Sequence, residues 1–267
     1  NDQGDFRVMP CIVRRAGCAR KTVKIVGTNL AQTVVPGQIT VGKAFALHAE
    51  ENFVTHIFDA CLLSSARTGA CAALAMELLA PCRRSVAVWG AGRVGYYAAF
   101  YAASLKGVDR VSLADSIPGR AGQASRLLSR QVPGVEFSAQ ALEETGTCDV
   151  LVLATTSAKP ICSPPGPGAC LIVSLGADMD TQHELDPAWA GIADIFVDGE
   201  DCLRFGDLAA WLERGLIEQS APVPMLSLLR HPPASGPGRT RLFVSTGSAL
   251  LDNLTIGYIL DSEPKAQ

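Results

Sequence analysis

The sequence predicts an α/β chain built on a doubly wound parallel sheet, and three observations carry that prediction. Near-continuous apolar runs, such as Val86–Trp89, Asp149–Ala154 and Cys170–Leu175, alternate with helix-like segments, as strands buried on both faces of a parallel sheet do. The first run passes straight into Gly90, Gly92 and Gly95 at the G-x-G-x-x-G spacing of a strand-to-helix turn. The third observation is bulk: 267 residues, 48% hydrophobic and 18% charged, suffice for a real core in one large or two moderate domains. The expected architecture is a Rossmann-type domain over 81–198. Residues 1–80 and 199–267 are expected to come together as a second, mixed α/β domain.

Taken in order, 5–13, 21–27 and 37–47 read as short strands of an antiparallel or mixed sheet, separated by glycine, proline and polar turns. From Phe58 to Leu79 an Ala- and Leu-rich pattern predicts one long, buried helix. Arg67 and Thr68 interrupt it, and a buried arginine requires a partner: a structural ion pair or a ligand. The glycine turn follows. Gly90 allows the tight exit from the strand, Gly92 lets a pyrophosphate approach the backbone, and Gly95 lets the helix pack on the strand.

A second strand, Arg110–Ala114, ends at Asp115. An acid there either accepts hydrogen bonds from a ribose, favouring NAD over NADP, or caps the Ser-Ile-Pro-Gly turn after it. Arg120 stands close enough in sequence to leave NADP open. A helix at 120–131 and a strand at 134–138 continue the alternation. Two buried strands then end in Thr155-Thr156-Ser157 and Gly176-Ala177-Asp178, at the carboxyl edge where α/β sheets bind ligands. A short strand at 194–198, a helix at 204–216 and a proline-rich loop over 222–238 precede the strand Arg241–Val244. The turn Ser245-Thr246-Gly247 and a helix at 248–260 close the chain.

Composition excludes several classes. A net charge of −3 offers no basic face for nucleic acid or an anionic membrane. No uninterrupted apolar run reaches the ~20 residues that span a bilayer. Nine scattered cysteines without a C-x-x-C pair point to free thiols in a reducing cytoplasm, and four histidines lack metal-ligand spacing. The opening residues, Asn1-Asp2-Gln3-Gly4-Asp5, have neither an initiator methionine nor signal-peptide character, so a truncated chain is expected.

Four motifs, in order, resemble the ornithine cyclodeaminase / mu-crystallin family along nearly the whole chain. They are Leu63-Ser64-Ser65-Ala66-Arg67-Thr68-Gly69-Ala70, Gly90-Ala91-Gly92-Arg93-Val94-Gly95, Ala154-Thr155-Thr156-Ser157, and the element from Ser245 to Asp252. The resemblance implies that Lys24, downstream of Met9-Pro10, and Arg67 hold a substrate carboxylate, and that Asp178 and Lys24 are the catalytic residues, Asp178 as the general base. It also implies a cofactor site made by Arg67, Thr68, Gly90, Gly92, Arg93, Val94, Gly95, Asp115, Thr155, Thr156, Ser157, Ser245 and Thr246. On residue chemistry alone, the alternatives are a helix N-cap for Asp178 and a solvated strand edge for Lys24.

Two departures stand out. The family's Pro-Gly-Lys after the aspartate is Asp180-Thr181-Gln182 here, and a leading segment carrying a carboxylate-binding arginine has no counterpart. Arg7 lies too near Met9-Pro10 to be that arginine. The Leu62-Leu63-Ser64-Ser65-x-Arg67-Thr68 wording is similar to the branch of dehydrogenases that makes 2,3-diaminopropionate. The resemblance implies an NAD-dependent enzyme, with NADP as the alternative. It would pass a hydride between nicotinamide and the Cα of a small amino acid or imine, as a homodimer in the cytoplasm. Ornithine cyclodeamination without net redox, and a non-catalytic mu-crystallin-like binder, are the alternatives.

Overall fold

The computed structural model describes residues 4–15, 17–29, 40–231, 233 and 238–262. The chain divides into two compact units, one formed by Asn1–Arg67 with Ser248–Gln267 and the other by Thr68–Gly247.

The first unit is built on a four-stranded antiparallel sheet of β1 (Gly4–Arg15), β2 (Cys18–Asn29), β3 (Thr40–Leu47) and β4 (Val54–Asp59), in that order. The β1–β2 hairpin pairs Arg15 with Cys18 and runs to Gly4 opposite Asn29. Gly17 in its turn has a φ of +78°, which glycine adopts without strain. Side chains alternate between the faces. One face carries Thr22, Lys24, Ala44 and Ala46, all buried. The opposite face carries Phe6, Val8, Ile12, Ile25 and Ile57, which are exposed, Phe6 at 72% and Ile57 at 65%. The prediction of strands at 5–13 and 21–27 meets one long hairpin; of the 37–47 strand, 37–39 lie outside the described residues. β4 is not in the sequence expectation, which places Phe58 in the helix. The helix α1 (Ala60–Leu79) instead starts after Asp59, whose Oδ1 accepts from the N–H groups of Cys61 and Leu62 at 3.0 and 2.9 Å, a side-chain N-cap.

The division between the units falls inside α1. This helix is 20 residues long and apolar enough to cross a membrane by length and composition, although Ser64, Ser65, Arg67 and Thr68 interrupt its apolar run. Ala72, Ala75, Met76 and Leu79 are fully buried, so it serves as a core helix.

The second unit holds eight strands: β5 (Ser85–Trp89), β6 (Arg110–Ala114), β7 (Glu136–Ala139), β8 (Val150–Leu153), β9 (Leu171–Ser174), β10 (Asp194–Val197), β11 (Val223–Pro224) and β12 (Arg241–Val244). They form one parallel sheet in the order β11-β10-β12-β9-β8-β5-β6-β7. Its helices are α2 (Arg93–Ala103), α3 (Arg120–Gln131), α4 (Gly206–Glu213) and the single turn α5 (Met225–Leu228). Val150 through Leu153 have no exposed surface, as expected of a central parallel strand. Strand order reverses between β5 and β8, which places the crevice for ligands beyond their carboxyl ends.

The sequence expectation assigns 199–247 to the second domain, but here it belongs with the parallel sheet. The reason is β12: it pairs with β9 on one side and β10 on the other, and Leu242, Phe243 and Val244 are buried. Removing it would split the sheet. β11 and α5 lie within the stretch expected to be a proline-rich loop. The last helix, α6 (Ala249–Ser262), returns the chain to the first unit, where Ile256 packs with Ala44, Ala46, Ala60 and Leu63.

Candidate functional site

Each unit presents one constellation. In the parallel-sheet unit, the chain leaves β5 through Gly90, whose φ is +96°, and enters α2 at Arg93. A Cβ on Gly95 would collide with the carbonyl oxygen of Gly90, so only glycine lets α2 lie this close to the turn. A Cβ on Gly92 would meet nothing within 4 Å. The contrast fits a dinucleotide: Gly95 is fixed by the fold, whereas Gly92 borders open space that a pyrophosphate can fill. Val94 and Gly95 sit in the first turn of α2, where N–H groups lack intrahelical partners and favour anions.

Asp115 caps the turn that follows it and also reaches back to the glycine turn. Its Oδ1 accepts from Ile117 N–H at 2.8 Å, capping the following turn. Its Oδ2 accepts from Ala91 N–H at 2.7 Å, which ties the end of β6 to the glycine turn. Arg120 lies 3.6 Å from the same carboxylate.

The neighbouring strand ends are joined by a residue to which the sequence analysis assigns no role. Glu184 is fully buried and accepts four hydrogen bonds. Oε1 takes the N–H and hydroxyl of Thr155 at 2.7 and 2.9 Å, and Oε2 takes the Ser174 hydroxyl and Gly176 N–H at 2.8 and 2.9 Å. Burial pushes its carboxyl above the usual range, against the pull of these donors. Thr155 is thus turned toward the interior, and Ser157 donates its hydroxyl to Lys159 O at 2.6 Å. Thr156, between them, is exposed. Ser245 gives its hydroxyl to Asp198 at 2.6 Å, and Thr246 contacts the Cys202 thiol at 3.5 Å. These hydroxyls shape the strand ends.

Asp178 follows β9 and begins a turn, with Gln182 N–H bonded to Met179 O; no helix starts there, so the N-cap alternative falls away. The Gln182 side chain is buried. With its amide nitrogen facing the acceptors, it donates to Gly176 O at 2.8 Å and to Asp178 Oδ1 at 2.9 Å. The residue standing where the family signature has lysine therefore orients the candidate acid–base group through a neutral amide. Asp207, at the start of α4, accepts from the N–H groups of Glu184 and Leu185 and pairs with His183 at 3.2 Å.

In the antiparallel-sheet unit, Lys24 and Arg67 come together around Asp252, at 2.6 and 2.9 Å. Lys24 projects from β2 and is 3% exposed, so the solvated-edge alternative is overturned. Its Nζ also donates to Ser64 Oγ at 3.1 Å. Burial, and after it the Arg67 charge, hold the Lys24 ammonium below its usual pKa, while Asp252 pulls it back up. Arg67 gives its Nε to Asp252 Oδ1, and its Nη1 is buried without a hydrogen-bond partner among the described residues. Asp252 closes the Ser245-to-Asp252 element, so it was in view without a role. The signal was available: an acid in an apolar helix requires a cation.

The chain is similar to several known proteins. Alanine dehydrogenase of Archaeoglobus fulgidus is 29% identical over 221 residues, 81% of this chain and 66% of the relative. L-lysine cyclodeaminase of Streptomyces rapamycinicus is 28% identical over 264 residues, 96% of this chain and 75% of the relative. The alanine dehydrogenase match thus spans just under two thirds of that enzyme. Among solved structures, an archaeal alanine dehydrogenase dimer with bound NAD superposes with a TM-score of 0.79 at 20% identity, covering 97% of this chain and 85% of that one. Over residues 1–229 the chain matches the ornithine cyclodeaminase/mu-crystallin family, and it belongs to that family.

Proposed function

We propose that this chain is an NAD-dependent oxidoreductase acting on the Cα–N bond of a small amino acid or imine. The observation that carries the proposal is the Lys24–Arg67 pair: two buried cations, one with an unpaired N–H, ready for a compact anion. An arginine edge grips a carboxylate bidentately, and the lysine adds a compact charge beside it. Gly90, Gly92, Arg93, Val94 and Gly95 would hold the pyrophosphate at the start of α2, with Asp115 toward the ribose. The remaining cofactor contacts are assigned to Arg67, Thr68, Thr155, Thr156, Ser157, Ser245 and Thr246. When bound, the nicotinamide supplies a two-electron hydride acceptor or donor. The protein fixes the substrate Cα–H by its carboxylate, and Asp178 takes a proton from the amine or from water, oriented by Gln182. NAD is favoured over NADP by the Asp115 carboxylate; Arg120 beside it keeps NADP in the test.

The exposed apolar face of β1–β4 supports a homodimer, because patches of this kind mark interaction sites. A second copy is the proposed occupant, with the archaeal alanine dehydrogenase dimer as the supporting parallel. Buried free thiols at Cys61, Cys148, Cys162 and Cys202 support a cytoplasmic setting.

The test is a panel of amino acids with NAD or NADP, following NADH absorbance and ammonia release together. NADH with a keto product is expected. Ammonia without NADH indicates cyclodeamination, as in the lysine cyclodeaminase relative, and overturns net oxidation. Nucleotide binding with no turnover in either direction, imine reduction included, leaves a binder.

A further inference from the structure

We propose that Asp252 is a positioning residue: its two carboxylate oxygens hold Lys24 and Arg67 at a fixed spacing, so that each keeps an N–H for the substrate carboxylate. The inference rests on the reading of Lys24 and Arg67 as a carboxylate clamp and assigns the device that sets it.

Each oxygen takes one cation, Oδ2 with Lys24 Nζ at 2.6 Å and Oδ1 with Arg67 Nε at 2.9 Å. An ammonium has three donors, and the described partners of Lys24, Asp252 and Ser64, use two. Arg67 engages Asp252 through Nε and leaves Nη1 buried and unpaired among the described residues. One acid between two cations leaves the cluster with one net positive charge. Two bare buried cations would repel each other, and a neutral cluster would attract no anion.

The carboxylate is aimed by its neighbour. Asn253, buried on α6, donates its amide to Arg20 O at 3.1 Å and Thr22 Oγ1 at 3.0 Å, fastening the first turn of α6 onto the β1–β2 hairpin. Charged and titratable groups around Lys24 come from three elements. Arg67 on α1 and Arg7 on β1 lower its pKa, and Asp252 on α6 raises it. The Cys11 thiol on β1 is itself raised by burial and by Asp252. On β3, Ala44 stands opposite Lys24 and brings no charge.

The experiment compares the full-length wild type with Asp252→Asn and Asp252→Glu. Binding of pyrrole-2-carboxylate to the NADH-loaded protein is followed against pH by calorimetry. Lys24 titration is followed separately by heteronuclear NMR of the lysine side chains, which requires neither ligand nor turnover. In Asp252→Asn, binding should weaken about tenfold or more at neutral pH. Its alkaline fall-off and the Lys24 titration should both move to lower pH, because the upward pull on Lys24 is gone. In Asp252→Glu the Lys24 titration should stay near wild type while binding still weakens, since the longer chain keeps the charge and loses the spacing. Wild-type binding and wild-type titration in Asp252→Asn would overturn the proposal. Should Asp252→Asn fail to fold, Asp252→Glu decides: wild-type affinity in it also overturns the proposal. A wild type that binds neither the probe nor any amino acid defeats the clamp reading, and Asp252 as its positioning residue with it. The Lys24 titration then still shows whether Asp252 holds the lysine.

Discussion

Glu184 and Asp252 are both buried acids, one in each unit, and the protein holds them in opposite ways. Glu184 accepts from two backbone N–H groups and two hydroxyls, four partners without charge. Asp252 is shared by two cations, one of which keeps an unpaired N–H. A carboxylate saturated by neutral donors completes its own neighbourhood and has nothing left to offer a ligand. It binds the end of β8, the end of β9 and the turn at Gly176 into one rigid edge. A carboxylate divided between two cations leaves their remaining donors unspent, and that is the state in which a binding site waits. The difference separates a residue that makes shape from residues that keep chemistry.

The strongest way to test the first half is Glu184→Gln. Whichever oxygen becomes the amide nitrogen, it faces a backbone N–H, that of Thr155 or that of Gly176. Urea unfolding should show a loss of about 3 kcal/mol. A change under about 1 kcal/mol would mean that the edge does not depend on this acid. Arg67→Lys attacks the other half. Lysine keeps the charge and loses the fork, so kcat/KM should drop about 100-fold, near 2.7 kcal/mol of transition-state stabilisation. Unaltered kinetics would remove Arg67 from the clamp. Gln182→Ala comes next. It deletes the donor to Gly176 O and Asp178 Oδ1, at about 1.5 kcal/mol of stability, and kcat should fall several-fold with KM nearly constant. A rise in KM instead would place Asp178 in binding.

The fold was legible where a single strand or turn carries its own signal. Val150–Leu153 is apolar throughout because both faces of β8 are covered, and the three glycines differ in ways the turn dictates. β4 was missed because Thr55 and Ile57 stand on a face that nothing among the described residues covers, so no burial pattern distinguishes it from a helix start. The place of β12 was missed for a related reason: strand order is a matter of pairing partners, and Leu242 says nothing about Ile195 or Ile172. Of the candidate residues, Lys24, Arg67 and Asp178 were named through resemblance, and Arg67 also through its position as a charge in an apolar helix. Asp252 was legible only as an acid in an apolar helix; its partner was not, since the bond to Arg67 spans 185 residues and only the fold brings the two together.

The two halves of the comparison also differ in how stability responds to pH, and this is the smallest effect expected. Burial raises the carboxyls of Glu184 and Asp207 in the parallel-sheet unit above their ordinary 4.5 and 3.8. A raised acid binds its proton more tightly when folded, so its contribution is complete below the ordinary value and is lost as pH rises through the raised one. Lys24 has the opposite sign. Its folded pKa lies below 10.5, so the unfolded chain holds the proton more tightly between the two values, and stability rises with pH across that window. Lys24→Met removes the group and keeps its length. Its stability should show no alkaline-side gain, while the decline on the acid side of neutrality stays as in wild type. Glu184→Gln should do the reverse, weakening the acid-side decline and leaving the alkaline gain intact. Equal changes in both windows for both variants would show that these buried groups titrate together, and the contrast between the saturated acid and the shared one would then lose its basis in protonation.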